Sequence, residues 1–174
     1  TPYDDVVYEQ ARKNYDRLKD IGALIKDREA GLYLYRQIMG DHKQDGLVAW
    51  CHVDDYNTGV IKKHEQTRQA KEDDRTKHVI ALDANSGPVF LTYKGTDAID
   101  ALVDEEINKR PMFHFVASDG VTHTGWKIEN ENAFLHAFEE IPVAYVADGH
   151  HRSASAARAA VECKNANPNH NSSE

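Results

Sequence analysis

Apolar and aromatic side chains recur at helical spacing near the start of the chain. Val7, Tyr8, Ala11, Tyr15 and Leu18 fall on one stripe, and Arg12, Lys13, Asp16, Arg17 and Lys19 on the other. This predicts an amphipathic, solvent-faced helix from Val6 to Asp20, ending before Gly22. Gly31 to Ile38 then reads as a strand with Tyr33 and Tyr35 on one side, Gly40 to Gly46 as a polar turn, and Gly46 to Val53 as a second, antiparallel strand. Helices are predicted over Val60 to Glu65, Ala70 to Leu82 and Asp97 to Asn108, the last carrying Ile99, Leu102, Val103 and Ile107 on its apolar face. Gly87 to Tyr93 is a strand opened by Pro88, a position that tolerates the missing N–H. Met112 to Ala117 and Val121 to Ile128 are strands joined by the hairpin signal Asp119-Gly120. Glu129 to Glu140 is a helix with Phe134, Leu135 and Phe138 pointing inward.

The chain then reaches its most informative stretch. Val143 to Ala147 is a short apolar run, long enough for a central strand and too short for a helix. Asp148-Gly149 breaks it, and Ser153 to Val161 is an Ala-rich helix with neither Gly nor Pro. The roughly six strands and five helices of this pattern predict an α+β or α/β fold, a mixed sheet with flanking helices. They predict a single domain over residues 1–164 and a flexible polar tail or loop over 165–174.

Composition narrows the classes. A 40% hydrophobic and 29% charged chain is globular rather than disordered. A net charge of −8 argues against coating nucleic acid, so no nucleic-acid partner is expected. No apolar run approaches a membrane span and no signal peptide is recognisable, so neither a membrane partner nor export is expected, and the cytoplasm is the expected compartment. Cys51 and Cys163 make no disulfide framework, and Cys51 reads as a small core residue. Trp126 reads as core or rim packing.

Asp148, Gly149, His150, His151 and Arg152 follow one another where a strand ends and a helix begins. Free N–H groups and the positive end of the helix dipole favour anions there, and Arg152 adds a planar fork of donors. Asp148 could hold a divalent cation such as Mg²⁺, orient a histidine or act as a base. Ser153, which opens the helix, joins the ligand-binding candidates. The plainer alternative is that Asp148 caps the helix and the histidines are solvated. His123 is a further polar candidate on its strand, although a lone strand histidine is usually structural. The pairs Glu72/Arg75 and Asp74/Lys77 stand three apart, the spacing of surface ion pairs on a helix.

The run Ala147-Asp-Gly-His-His-Arg152 resembles the hallmark of a mostly bacterial family, domain of unknown function 1015. So do Ile61-Lys-Lys-His-Glu-Gln-Thr-Arg68 with Lys71-Glu-Asp-Asp-Arg75, and Asp119-Gly-Val-Thr-His-Thr-Gly-Trp126. The resemblance runs from about Ala23 to Arg158, and family members are longer, so the chain is expected to be part of a longer protein. It places His64, Glu65, Thr67, Lys71, Asp74 and Arg75 on the family's recurring pattern. The Asp-Gly-His-His-Arg turn is also similar to that of free-serine kinases of the ParB and sulfiredoxin-like superfamily.

That resemblance implies a nucleotide-dependent phosphotransferase acting on a small metabolite, free serine or a similar amino acid, with ATP or ADP and Mg²⁺ as cofactors. Asp148, His150, His151 and Glu65 would be catalytic, with Glu65 as general base. Gly149, Arg152, Ser153, Lys71, Arg75, His64, Thr67 and His123 would bind phosphate or other ligand groups. Two alternatives stand beside it. One is a nucleotide-binding regulatory module without turnover. The other is a metal-dependent hydrolase using Asp148, His150, His151 and His123.

Overall fold

The computed structural model describes residues 4–167 and 169. Among them are six helices and seven strands in a mixed α+β arrangement. The contacts gather into two compact units. The first comprises Thr1–Lys26, His52–Tyr93 and Val143–Glu174, and the second Asp27–Cys51 with Lys94–Pro142. The sequence reading draws one domain over residues 1–164.

The second unit is a four-stranded antiparallel sheet with two helices. Its strands are β1 (Tyr33–Met39), β2 (His42–Val48), β5 (Phe113–Val116) and β6 (Thr122–Lys127), in the order β2-β1-β6-β5. The helices are α4 (Asp97–Ile107) and α5 (Glu131–Glu139). Leu34, Trp126, Ile128 and Phe134 form the core, with Leu102, Val103, Ile107 and Phe138 packed against them. Leu135, expected to point inward, is exposed. The β5–β6 hairpin turns at Asp119-Gly120 as its sequence predicts, with the Asp119 carboxylate accepting from the Val121 N–H at 3.0 Å. The first hairpin departs from expectation. Met39 pairs with His42, so Gly40 and Asp41 alone make the turn, and the polar residues 42–45 lie within β2. An edge strand accommodates such residues, and charge there discourages pairing with another sheet. Arg36 in β1 reaches across to Asp45 with bonds of 2.6 and 2.9 Å, which holds this guanidinium above its ordinary pKa. With the strand ending at Val48, Cys51 is exposed rather than in the core.

The first unit is built on the three-stranded sheet β3-β7-β4: β3 (Ile61–Lys62), β7 (Ala144–Asp148) and β4 (Phe90–Tyr93). Around it lie α1 (Asp5–Asp20), α2 (Val53–Thr58), α3 (Gln69–Leu82) and α6 (His150–Ala166). Val146 and Ile61 in the sheet, with Ala157, Ala159 and Ser155 on α6, are buried. The small residues of α6 let α3 approach it closely. The helix predicted over Val60 to Glu65 is absent. His52 caps a helix that starts earlier, Gly59 ends it at φ 83°, and Ile61 is drawn into a strand paired with Ala144. Left-handed angles suit Gly, so the stop is built into the sequence. The final helix starts at His150, not Ser153, and includes Asn165 and Ala166 of the expected tail; residues 168 and 170–174 lie outside the described residues.

Candidate functional site

The sheet of the first unit decides which segments meet. β7 runs parallel to β3 and antiparallel to β4. The carboxyl ends of β3 and β7 and the amino end of β4 therefore lie along one edge of the sheet. The loop of residues 63–68 leaves β3 there, the Asp148-Gly149 turn leaves β7, and Gly87-Pro88 leads into β4. Loops at strand carboxyl ends are where ligand sites concentrate in open α/β sheets.

The turn itself is tighter than the sequence suggests. Gly149 alone, at φ 95°, links β7 to α6, so His150, His151 and Arg152 form the helix's first turn. Their N–H groups lack intrahelical acceptors by position, while the Ser153 N–H already bonds the Gly149 carbonyl at 2.9 Å. The Ser153 hydroxyl turns back to that same carbonyl, at 3.3 Å. Arg152 folds over the turn, donating to the Asp148 carboxylate and to the Pro88 carbonyl. A Cβ on Gly149 would stand 3.0 Å from Arg152 Nε. Gly149→Ala is therefore expected to combine a left-handed angle, costing about 1–2 kcal/mol, with displacement of the guanidinium. Urea denaturation would show this as a lower midpoint with an unchanged slope.

His150 is 7% exposed. Its Nδ1 lies 3.5 Å from Glu65 Oε2, and its ring meets His64 edge-on with centroids 4.5 Å apart. Nε2 of His150 and Nδ1 of His151 are buried with no hydrogen-bond partner among the described residues. Glu65 remains 62% exposed and open to solvent. The arrangement can bind an anion at the helix start and move a proton at the Glu65 carboxylate or a histidine.

The other candidates divide. Thr67 donates its hydroxyl to Glu72, so it is engaged within the protein. Lys71 and Arg75 are exposed on α3. The i,i+3 pairs read from the sequence do not form. Glu72 faces Thr67 and Arg158, at 3.9 Å from the latter, while Asp74 accepts from the Tyr8 hydroxyl at 3.0 Å and lies 3.7 Å from His78. Those carboxylates face α6 and α1, where Arg158 and Tyr8 take them up in place of the residues three positions along the helix. Arg158 also bonds Asp73 at 2.5 Å, which pulls the Asp73 carboxyl below its ordinary pKa and raises that of the guanidinium. His123 belongs to the second unit, where its Nδ1 is 2.5 Å from the Tyr35 hydroxyl and its ring stacks on Phe115. The contacts of Arg158 with Asp73 and of Pro88 with Arg152 carry no signal in the sequence, because the partners are 85 and 64 positions apart.

Among the described residues no group of three or more His, Cys, Asp or Glu is arranged to hold a metal ion, and no helix is long and apolar enough to cross a membrane. No curated protein and no solved structure matches the chain. A family model does match, over residues 1–174, and the chain belongs to that family, the proteins of unknown function DUF1015.

Proposed function

We propose that the chain is a nucleotide-dependent phosphotransferase acting on a small hydroxyl-bearing metabolite, free serine or a similar amino acid. One observation carries the reading: an acidic side chain, Glu65, stands 3.5 Å from His150 at the start of a 17-residue helix. The N–H groups of that helix turn, which lack intrahelical acceptors, its dipole and Arg152 supply a phosphate cradle. Glu65 supplies a base for an acceptor hydroxyl, and positioning with charge neutralisation is most of what phosphoryl transfer requires.

Magnesium fits this reading as a companion of the nucleotide. It is commonly held by one or two carboxylates together with substrate phosphates, and Asp148 is the carboxylate at the turn. Bound there, the ion would neutralise phosphate charge. Arg152 already pairs with Asp148, so nucleotide entry would redistribute the guanidinium from carboxylate to phosphate. The hydrolase reading has less support, because the described His and Asp side chains do not converge as a three-ligand set.

Calorimetric titration of ATP, ADP and CTP, with and without Mg²⁺, tests the cradle on the chain and on Arg152→Ala. Binding to the parent that weakens about tenfold or more in the variant is the expected result. A phosphorylation assay with free serine and other hydroxyl amino acids then separates the kinase from a nucleotide-binding module, for which binding would occur without product. Absence of nucleotide binding would remove both readings.

A further inference from the structure

Glu65 is 62% exposed and sits in the loop of residues 63–68, which has no regular secondary structure. Neither burial nor a backbone ladder holds it beside His150. The structure nevertheless anchors this loop at its far end. Thr67 donates its hydroxyl to one oxygen of the Glu72 carboxylate, at the start of α3. The other oxygen lies 3.9 Å from the Arg158 guanidinium on α6. Arg158 is in turn fixed by Asp73 at 2.5 Å and Glu162 at 3.5 Å, and Ser155 Oγ reaches the Glu72 carbonyl at 3.4 Å. The helix that carries His150 at its first turn thus also holds, two turns further on, the carboxylate to which the Glu65 loop is tied.

We infer that Thr67, Glu72 and Arg158 form a clamp between α6 and the loop of residues 63–68 that sets Glu65 against His150. Thr67 is then a positioning residue rather than a phosphate ligand, and Arg158 acts through Glu72 without touching substrate. Only Gln66 separates Glu65 from Thr67, so releasing the hydroxyl frees the Glu65 backbone directly. A Glu72 side chain only 17% exposed keeps the bond from competition by water. The catalytic consequence rests on the phosphotransferase reading; the geometric one does not.

The test uses the whole chain and four variants, Thr67→Val, Thr67→Ser, Arg158→Gln and, as the reference, Glu65→Gln. Thr67→Val keeps the side-chain shape and removes the donor, and Thr67→Ser restores it. Amide hydrogen exchange over residues 63–67 and the ¹³Cε1 shift of His150 at fixed pH report the clamp without any assay of activity. In Thr67→Val and Arg158→Gln, exchange is expected to rise and the His150 resonance to move toward its position in Glu65→Gln. Thr67→Ser should return both to the parent values. In the phosphorylation assay, kcat should fall about 10- to 100-fold with KM little changed, the signature of a misplaced base. A His150 resonance that moves in Glu65→Gln yet stays put in Thr67→Val would overturn the clamp while leaving the Glu65–His150 pair intact. A resonance unmoved even by Glu65→Gln would refute the pairing and the clamp together. A clamp seen by exchange and resonance in a chain that transfers no phosphate would leave the geometry standing and refute the phosphotransferase reading.

Discussion

Glu65→Gln is expected to lower the rate of phosphoryl transfer by about 10²- to 10⁴-fold, the usual contribution of a positioned general base. The substitution keeps the shape and the hydrogen-bonding reach of the side chain and removes its capacity to take a proton. Because Glu65 is 62% exposed, folding stability should change by less than about 0.5 kcal/mol. Nucleotide affinity should stay within about threefold, since the phosphate cradle lies in the helix turn and not in the loop. Single-turnover measurements separate the two, because they read the chemical step after binding is complete. A variant that binds nucleotide normally but transfers phosphate a hundred times more slowly identifies Glu65 as the base. One that transfers at the parent rate moves the base elsewhere, and His150, whose buried Nε2 has no hydrogen-bond partner among the described residues, becomes the next side chain to replace.

What could be read from the chain alone follows a physical rule. Elements whose signal is local were legible: the stripe of α1, the apolar face of α4 and the Asp119-Gly120 hairpin all rest on residues within a few positions of one another. The strand, glycine turn and helix around Asp148 to Arg152 were legible for the same reason, as a short apolar run broken at Asp148-Gly149 before an Ala-rich stretch. Elements decided by distant partners were not. The residues from His42 to Asp45 resemble a turn because they are polar, and become a strand only because β1 pairs with them and Arg36 takes up Asp45. Ile61 enters a strand because Ala144 lies beside it, more than eighty positions away. Glu106 is the sharpest case. Its position in the charged run after Val103 suggests a solvated face, yet it is 2% exposed, bonded by Lys109 at 2.7 Å, with the Lys109 carbonyl taken by the Trp126 indole at 3.1 Å. Charge patterning reports what a helix would do in water, and Glu106 lies on the face of this helix that the unit buries.

The same distinction supports a second large effect, in the second unit. Phe134 is 1% exposed among Leu34, Trp126 and Ile128, whereas its neighbour Leu135 on α5 is 52% exposed. Replacing Phe134 by Ala removes most of a buried ring and leaves a cavity that neighbouring side chains fill only in part, at a cost of about 3–5 kcal/mol. For a unit of this size that corresponds to a melting point lower by roughly 12 °C or more. Leu135→Ala removes a similarly apolar side chain from the adjacent position, but one that water already reaches, and Ala is the better helix former. Its effect should stay within about 0.5 kcal/mol. The two tryptophans make the comparison direct: Trp126 is buried in this core and Trp50 is 95% exposed, so the change in fluorescence on unfolding comes chiefly from Trp126. Thermal melts followed by that signal should shift strongly for Phe134→Ala and hardly at all for Leu135→Ala. Equal shifts would mean that α5 presents a different face to the sheet, and the assignment of Phe134 to the core would have to be abandoned.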